Sequence, residues 1–178
     1  VGGSSNCVGG VHSTMVGGLD NKITSNCSFV GGGSCNRITA NSSTIVGGTF
    51  NTASAASGFI GGGESNCIVT GGCSGIVGGY LNTINSQYSS IGGGICNTIN
   101  SNSNQGVIGG GKNNTVAGTQ GTIGGGIQNL ASGSYSTVAG GISGSANYDY
   151  TVIGGGISNT ADTSGSAVLS GNTNYASG

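Results

Sequence analysis

The sequence predicts an all-β protein: a parallel β-roll, or β-solenoid, of about twelve coils with two short strands in each coil. Three observations support this fold class. A Gly-Gly phrase returns about every 15 residues, each repeat contains two apolar–polar alternations, and the 178 residues include 42 Gly and no Pro. A coil this short cannot bury its apolar side chains alone, so coils must stack on their neighbours. We therefore expect residues 1–178 to form a single repeat array, a fragment of a longer fibre.

The spacing of the Gly pairs defines the coils. Each repeat is numbered from the first Gly of its pair, which is position 1. The pairs are 15 residues apart except in the repeats 62–77 and 93–109, which are one and two residues longer and are expected to bulge outward near 71–72 and 102–105. Two strands of about five residues, joined by corners in which Gly supplies positive φ, account for one coil. At about 4.8 Å per coil, twelve coils give a rod about 55–60 Å long.

Four positions of the repeat are predicted to point inward. Positions 7 and 14 are apolar in every repeat, as in Ile23 and Ile91, and position 12 is mostly Ser, a column in which we also expect Cys73. Position 5 is Asn in eleven of twelve repeats. Stacked Asn amides are expected to hydrogen-bond from coil to coil, which would satisfy polar groups that are costly to bury. This predicted core ladder comprises Asn6, Asn21, Asn36, Asn51, Asn66, Asn82, Asn97, Asn114, Asn129, Asn159 and Asn174.

Positions 13 and 15 are predicted to form an outward face that carries almost no charge. In the first five repeats Thr beside Val alternates with Phe beside Gly. A long uncharged stripe is unusual on a surface in water, so we expect it to pack against copies of the chain, in a trimer or a filament bundle. The alternative is a flat Thr/Val face that binds ice. The candidate residues for either role are Thr14, Val16, Phe29, Thr44, Val46, Phe59, Val77, Thr122, Thr137 and Val152.

The composition argues against most other functions. A net charge of −1 gives no electrostatic footprint for nucleic acid, and no apolar run is long enough to span a membrane. His12 is the only His, and the four acids lie in different repeats, so general acid–base catalysis has no obvious pair. Calcium-binding β-roll repeats carry Asp in their turns, and these repeats mostly do not. We therefore expect neither catalytic residues, nor a metal, nor a cofactor.

The six Cys do not form a disulfide framework within the chain. Cys7 and Cys67 share one repeat position, and Cys35 and Cys96 share another. The members of each pair are four coils apart, about 19 Å, which is too far for a disulfide. The thiols are therefore expected either to stay reduced or to cross-link neighbouring chains.

Three N-glycosylation sequons occur, and they place candidate glycans on the outside of the coils. The acceptor residues are Asn26, Asn41 and Asn113, of which the first two occupy the same corner of successive repeats.

Two families resemble these repeats. The segment Asn129-Leu-Ala-Ser-Gly-Ser-Tyr-Ser-Thr-Val-Ala-Gly140 resembles the head repeat of trimeric autotransporter adhesins and the Gly-Gly-x-x-Asn repeats of phage-like and giant-virus fibre proteins. That resemblance implies a left-handed, commonly trimeric β-roll that serves as the shaft or adhesive head of an extracellular fibre on a cell or virion surface. Its partners would be copies of itself, with a cell-surface glycan or protein as a further partner. Residues 112–126 are similar to grass ice-binding repeats, except that Gly121 replaces an Asn.

Overall fold

The predicted β-solenoid is confirmed. The computed structural model describes residues 2–177, which form stacked coils of parallel strands, each coil starting at the Gly pair of one repeat. The strands alternate along the chain between two sheets, so that each complete coil contributes one strand to each sheet. Within this described range, no helix is long and apolar enough to cross a membrane.

All strands are two residues long, numbered β1 to β23 in chain order. The first sheet has twelve strands, each formed by positions 6 and 7: β1 Cys7–Val8, β3 Lys22–Ile23, β5 Arg37–Ile38, β7 Thr52–Ala53, β9 Cys67–Ile68, β11 Thr83–Ile84, β13 Thr98–Ile99, β15 Thr115–Val116, β17 Leu130–Ala131, β19 Ser145–Ala146, β21 Thr160–Ala161 and β23 Tyr175–Ala176. The second sheet has eleven, formed by positions 13 and 14: β2 Thr14–Met15, β4 Phe29–Val30, β6 Thr44–Ile45, β8 Phe59–Ile60, β10 Gly75–Ile76, β12 Ser90–Ile91, β14 Val107–Ile108, β16 Thr122–Ile123, β18 Thr137–Val138, β20 Val152–Ile153 and β22 Ala167–Val168.

Strand pairing keeps equal repeat positions opposite each other. Ile23 faces Ile38 in the next coil, and the same holds along both sheets. The one-residue insertion does not disturb this register, because Ile68 still faces Ile84. The extra residue therefore stays in a corner, as expected from the sequence.

The strands are shorter than the five residues expected from the alternation. The chain leaves each strand early because the residues at positions 4 and 11 adopt left-handed backbone conformations, as in Cys35 with φ 56° and Tyr135 with φ 58°. Between these turns, position 3 forms a third ladder of isolated parallel bridges that runs from Ser4 to Asn172. This ladder was not predicted from the sequence.

Glycine supplies positive φ at position 2 of the coils, as expected, and it has a second role there. The left-handed residues at positions 4 and 11 are mostly not Gly, whereas the Gly at position 2 is needed because successive coils approach closely there. A Cβ on Gly33, at φ +87°, would lie 2.1 Å from the carbonyl oxygen of Gly48 in the next coil. Only a residue without a side chain allows this spacing.

The core is a narrow seam of aliphatic side chains between the two sheets. Positions 7 and 14 supply nearly all of it, and Ile23, Ile45, Ile91 and Ile123 are fully buried. Burial of one such side chain stabilises the fold by about 1.5–3 kcal/mol. The seam fixes the orientation of each coil and so determines which repeat positions face outward.

Candidate functional site

The Asn at position 5 joins each coil to itself and to the next coil. The side-chain nitrogen of Asn36 donates to the carbonyl of Gly32 in its own coil (3.0 Å) and to that of Gly48 in the next coil (2.8 Å). Its side-chain oxygen accepts the backbone N–H of Asn51 (3.0 Å). One buried amide thus uses both of its N–H donors and its oxygen.

The ladder differs in detail from the amide-to-amide stack expected from the sequence. Direct amide contacts occur between Asn82 and Asn66, Asn97 and Asn82, and Asn114 and Asn97, each at 3.1 Å. All of these amides also donate to the carbonyls of positions 1 and 2, and outside the three pairs they bond only to backbone groups. The Asn side chains from the second to the eleventh coil are buried, whereas Asn6 is half-buried and Asn174 is exposed.

The column at position 12 is built from small polar residues, and one of its hydroxyls is unsatisfied. Ser43 Oγ donates to the carbonyl of Ala55 (2.9 Å) and accepts the N–H of Gly58 (3.2 Å). The buried Ser136 Oγ has no hydrogen-bond partner. The expectation for Cys73 is wrong: this residue is exposed in a left-handed corner, and Ser74 takes the inward place because the extra residue of this coil lies before it.

The face formed by positions 13 and 15 is apolar but uneven. Thr44 lies between Phe29 and Phe59 in strict register, so large and small side chains alternate from coil to coil. Val46 and Val77 stand exposed, the latter at 65%. A Cβ on Gly31 would be 3.3 Å from the Phe29 ring, so this Gly leaves room for the ring as expected, but it would also lie 2.2 Å from the Val46 carbonyl oxygen.

The other candidate residues of this face lie in the same column. Thr122 faces Thr137, and Thr137 faces Val152, so the second half of the face has smaller side chains. Thr14 and Val16 are both exposed in the first coil.

A second apolar stripe, which was not predicted from the sequence, lies at position 3. Its bridges bring exposed aliphatic and aromatic side chains into one column: Leu19, Tyr80, Ile95, Ile127, Ile142 and Ile157. Ser34, Thr49 and Glu64 lie between Leu19 and Tyr80 in the same column, and Lys112 lies between two of the Ile residues. The apolar part of the column is therefore mainly in the second half of the rod. The signal was present in the sequence, because an aliphatic residue follows the Gly pair in several late repeats, but no strand was expected there.

The corner at position 11 stacks like side chains on one another. The Tyr135 and Tyr150 rings are parallel within 4°, with centroids 5.0 Å apart. The Gln120 amide donates to the Gln105 side-chain oxygen one coil earlier. These contacts follow from the coil spacing, which places equal side chains at stacking distance.

Asp149 and Asp162 hydrogen-bond to different groups. Asp162 accepts hydrogen bonds from the Tyr175 hydroxyl (2.6 Å) and the Asn147 amide (3.0 Å), which lower the pKa of this carboxyl, and the same bond raises the pKa of Tyr175. Asp149 instead accepts the backbone N–H of Ser134. Among the described residues, no three His, Cys, Asp or Glu side chains form a group that could hold a metal.

The six Cys are all free thiols, and each is exposed or half-buried. Burial raises the pKa of the half-buried Cys67. Cys35 Sγ donates a weak hydrogen bond to an Asp20 carboxylate oxygen (3.9 Å).

All three sequon residues are exposed. The side-chain oxygen of Asn26 accepts the N–H of Val11 (2.8 Å), and that of Asn41 accepts the N–H of Asn26 (2.9 Å). Each of these two amides thus holds the corner through its oxygen. Asn113 lies in a left-handed corner at φ 56°.

A surface recess lies at the corner where the two longer coils bulge. A cavity of about 480 Å³ is lined by Thr70, Asn85, Asn100, Ser101, Asn102 and Ala117. A neighbouring cavity of about 280 Å³ shares three of these residues and extends to Gln87 and Asn104. Together the two form one polar recess, the corner groove. A separate cavity of about 300 Å³ lies beside Lys22 and Arg37.

The chain matches no protein-family model and no curated protein.

Proposed function

We propose that the chain is a structural segment of an extracellular fibre, on a cell or virion surface, that associates with copies of itself along its length. The observation that carries this proposal is the exposure of two apolar stripes, one at positions 13 and 15 and the other at position 3. Exposed patches of this kind mark interaction surfaces. A solenoid suits a shaft or an adhesive head because its strands pair along the rod and leave unpaired edges only at the ends.

The first face runs the length of the rod. The stack is about 50 Å long at about 4.8 Å per coil, and the three residues of positions 13 to 15 span about 10 Å. Their product is about 500 Å², the size of the largest exposed patches on proteins, which are often interaction sites. A second copy of the same rod matches this face in length, so it is the occupant that we propose.

Sedimentation of charged surface variants tests the association. Val46→Lys with Val77→Lys places two cations on the first face, and Ile127→Lys with Ile142→Lys places two on the position 3 stripe. All four side chains are exposed, so the coils should still fold. We expect the parent chain to sediment as an oligomer and one of the two pairs to sediment as a monomer.

A matched control is Thr24→Lys with Thr39→Lys, which adds two charges to exposed residues outside both stripes. A parent chain that is monomeric at about 100 μM, above the μM to pM range of Kd values of protein interfaces, would overturn the proposal.

Ice binding is the second candidate, and a regular Thr column favours it. Thr83, Thr98 and Thr115 lie in register in consecutive coils of the first sheet. The alternation of Phe and Thr on the position 13 face argues against that face as a flat ice template. If the parent chain is monomeric, inhibition of ice recrystallisation by the parent, and its loss in Thr98→Lys, would favour ice binding.

A further inference from the structure

The corner groove lies where two irregular coils, separated by one regular coil, expand at the same corner. The coil of residues 62–77 carries its extra residue at Gly71, and the coil of residues 93–109 bulges at Ser101 and Asn102. The corner of the regular coil, which includes Asn85 and Gln87, lies between these two walls of the recess.

Hydrogen bonds to neighbouring coils hold both walls in place. Ser103 is fully buried, and its hydroxyl donates to the Val116 carbonyl (3.1 Å), which anchors the longer bulge from inside. From outside, the Thr119 hydroxyl donates to the Asn102 carbonyl (2.8 Å). On the opposite wall the Thr70 hydroxyl donates to the Asn85 carbonyl (2.7 Å). The recess is thus preformed, which lowers the ordering cost of binding.

The lining is polar, uncharged and chemically unused. The side-chain amides of Asn85, Asn100 and Asn102 make no hydrogen bond within residues 2–177, although each offers two donors and an acceptor oxygen. Neither a cation nor a carboxylate lines the groove. Tyr88 follows Gln87 directly and is 61% exposed, so an aromatic side chain stands at the same corner.

We propose that the corner groove binds an uncharged oligosaccharide. Amides that each offer donors and an acceptor match the neighbouring hydroxyl groups of a sugar. The absence of charge from the lining disfavours nucleotides and acidic glycans. A peptide strand cannot add to the sheets here, because their strands already pair with the coils on both sides. This inference does not depend on self-association, since neither apolar stripe contributes a lining residue.

Binding is tested by amide NMR titration of the full chain with a fixed set of uncharged hexasaccharides: β-1,4-glucose, α-1,4-glucose, α-1,6-mannose and β-1,4-N-acetylglucosamine. We expect at least one of them to shift the resonances of Asn85, Ser101 and Asn102 until the shifts saturate. The expected Kd is about 1 mM or below, which corresponds to a binding free energy of about −4 kcal/mol or stronger. Asn100→Ala combined with Asn102→Ala should weaken that binding at least tenfold.

Two controls separate the groove from the rest of the surface. The double variant should keep the parent circular dichroism spectrum, because both side chains are exposed and make no side-chain hydrogen bond. Asn172→Ala removes an exposed amide far along the rod and should bind like the parent. The inference is overturned if none of the four sugars shifts the groove resonances at about 10 mM, tenfold above the expected Kd. It is also overturned if the double variant binds like the parent.

Discussion

Asn97→Ala tests the claim that the buried Asn ladder stabilises the stack. In the structure, the Asn97 side-chain nitrogen donates to the carbonyls of Gly93 (3.0 Å) and Gly111 (2.9 Å), and its oxygen accepts the N–H of Asn114 (3.0 Å). Gly111 keeps a second donor, the N–H of Ile95, so its carbonyl remains satisfied in the variant. The Asn114 N–H and the Gly93 carbonyl lose the bonds that the side chain supplied.

The size of the effect follows from these two groups. A buried polar group left without a partner costs about 1–3 kcal/mol, and the missing amide also leaves a small void. Gly93 is only half-buried, so water can replace part of its lost bond. We therefore expect Asn97→Ala to lower the free energy of unfolding by about 2–4 kcal/mol, which corresponds to a fall in Tm of roughly 5–15 °C for a chain of this size.

Urea unfolding followed by far-UV circular dichroism measures this difference. The matched control is Asn102→Ala in the same coil. The Asn102 side chain is exposed and makes no hydrogen bond to the protein, so we expect the free energy of unfolding to change by less than about 0.5 kcal/mol. If the two variants unfold at the same urea concentration, the ladder does not contribute as argued.

Three further predictions concern single contacts. Ser136→Ala should raise the free energy of unfolding by about 1 kcal/mol, because its buried hydroxyl has no partner; a less stable variant in urea would contradict this. Gly33→Ala should destabilise the fold by about 3 kcal/mol or more through its clash with the next coil, whereas Gly32→Ala, with no atom within 4 Å of its Cβ, should not; equal thermal melting of the two would refute the close-approach argument. Hydrogen bonds from Tyr175 and Asn147 lower the pKa of Asp162, so their stabilising contribution is present above the unfolded pKa near 4 and is lost as the pH falls through the lower folded value. Tyr175→Phe should therefore raise the Asp162 pKa in an NMR titration, and an unchanged pKa would contradict this origin.

The sequence allowed prediction of the coil, the register and the core because these depend on periodicity. Ile23 and Ile38 occupy the same repeat position, and stacking of equal coils places them opposite each other. The positions of the longer bulges were also predictable, since an insertion that preserves register must lie in a corner. Periodicity is a property of the whole chain, and it survives local irregularity.

The corners were not predictable, because their conformation opposes local preference. Among residues 2–177, twenty-two residues other than Gly have positive φ, and they include Phe50 and Leu81, for which this conformation costs about 1–2 kcal/mol each. The backbone bonds between coils impose it: the N–H of Phe50 donates to the carbonyl of Ser34 in the preceding coil (3.0 Å). The corner groove was missed for a different reason: it depends on two bulges that lie on either side of one regular coil only after stacking.

The interruption of the Asn ladder at Gly144 provides the complementary test, in which a missing contact is restored. Gly144 donates its N–H to the Asn129 side chain (2.8 Å), but it has no amide to offer the next coil. Gly144→Asn would supply an acceptor for the Asn159 N–H and donors for the Gly140 and Gly156 carbonyls. A Cβ there would lie 3.1 Å from the Asn129 side-chain oxygen and 3.2 Å from Ile153 Cγ2, so both side chains must shift by a few tenths of an ångström.

We expect Gly144→Asn to raise the free energy of unfolding by about 1–2 kcal/mol, the net value of one or two buried hydrogen bonds after this adjustment. Replacement of any Gly also reduces the entropy of the unfolded chain, so the control is Gly140→Asn in the same coil, whose Cβ would meet no atom within 4 Å. A larger gain at Gly144 than at Gly140 in urea unfolding assigns the difference to the completed ladder. Equal gains would mean that the amide bonds contribute nothing beyond the restriction of the unfolded chain, and the role given to all eleven Asn residues would have to be withdrawn.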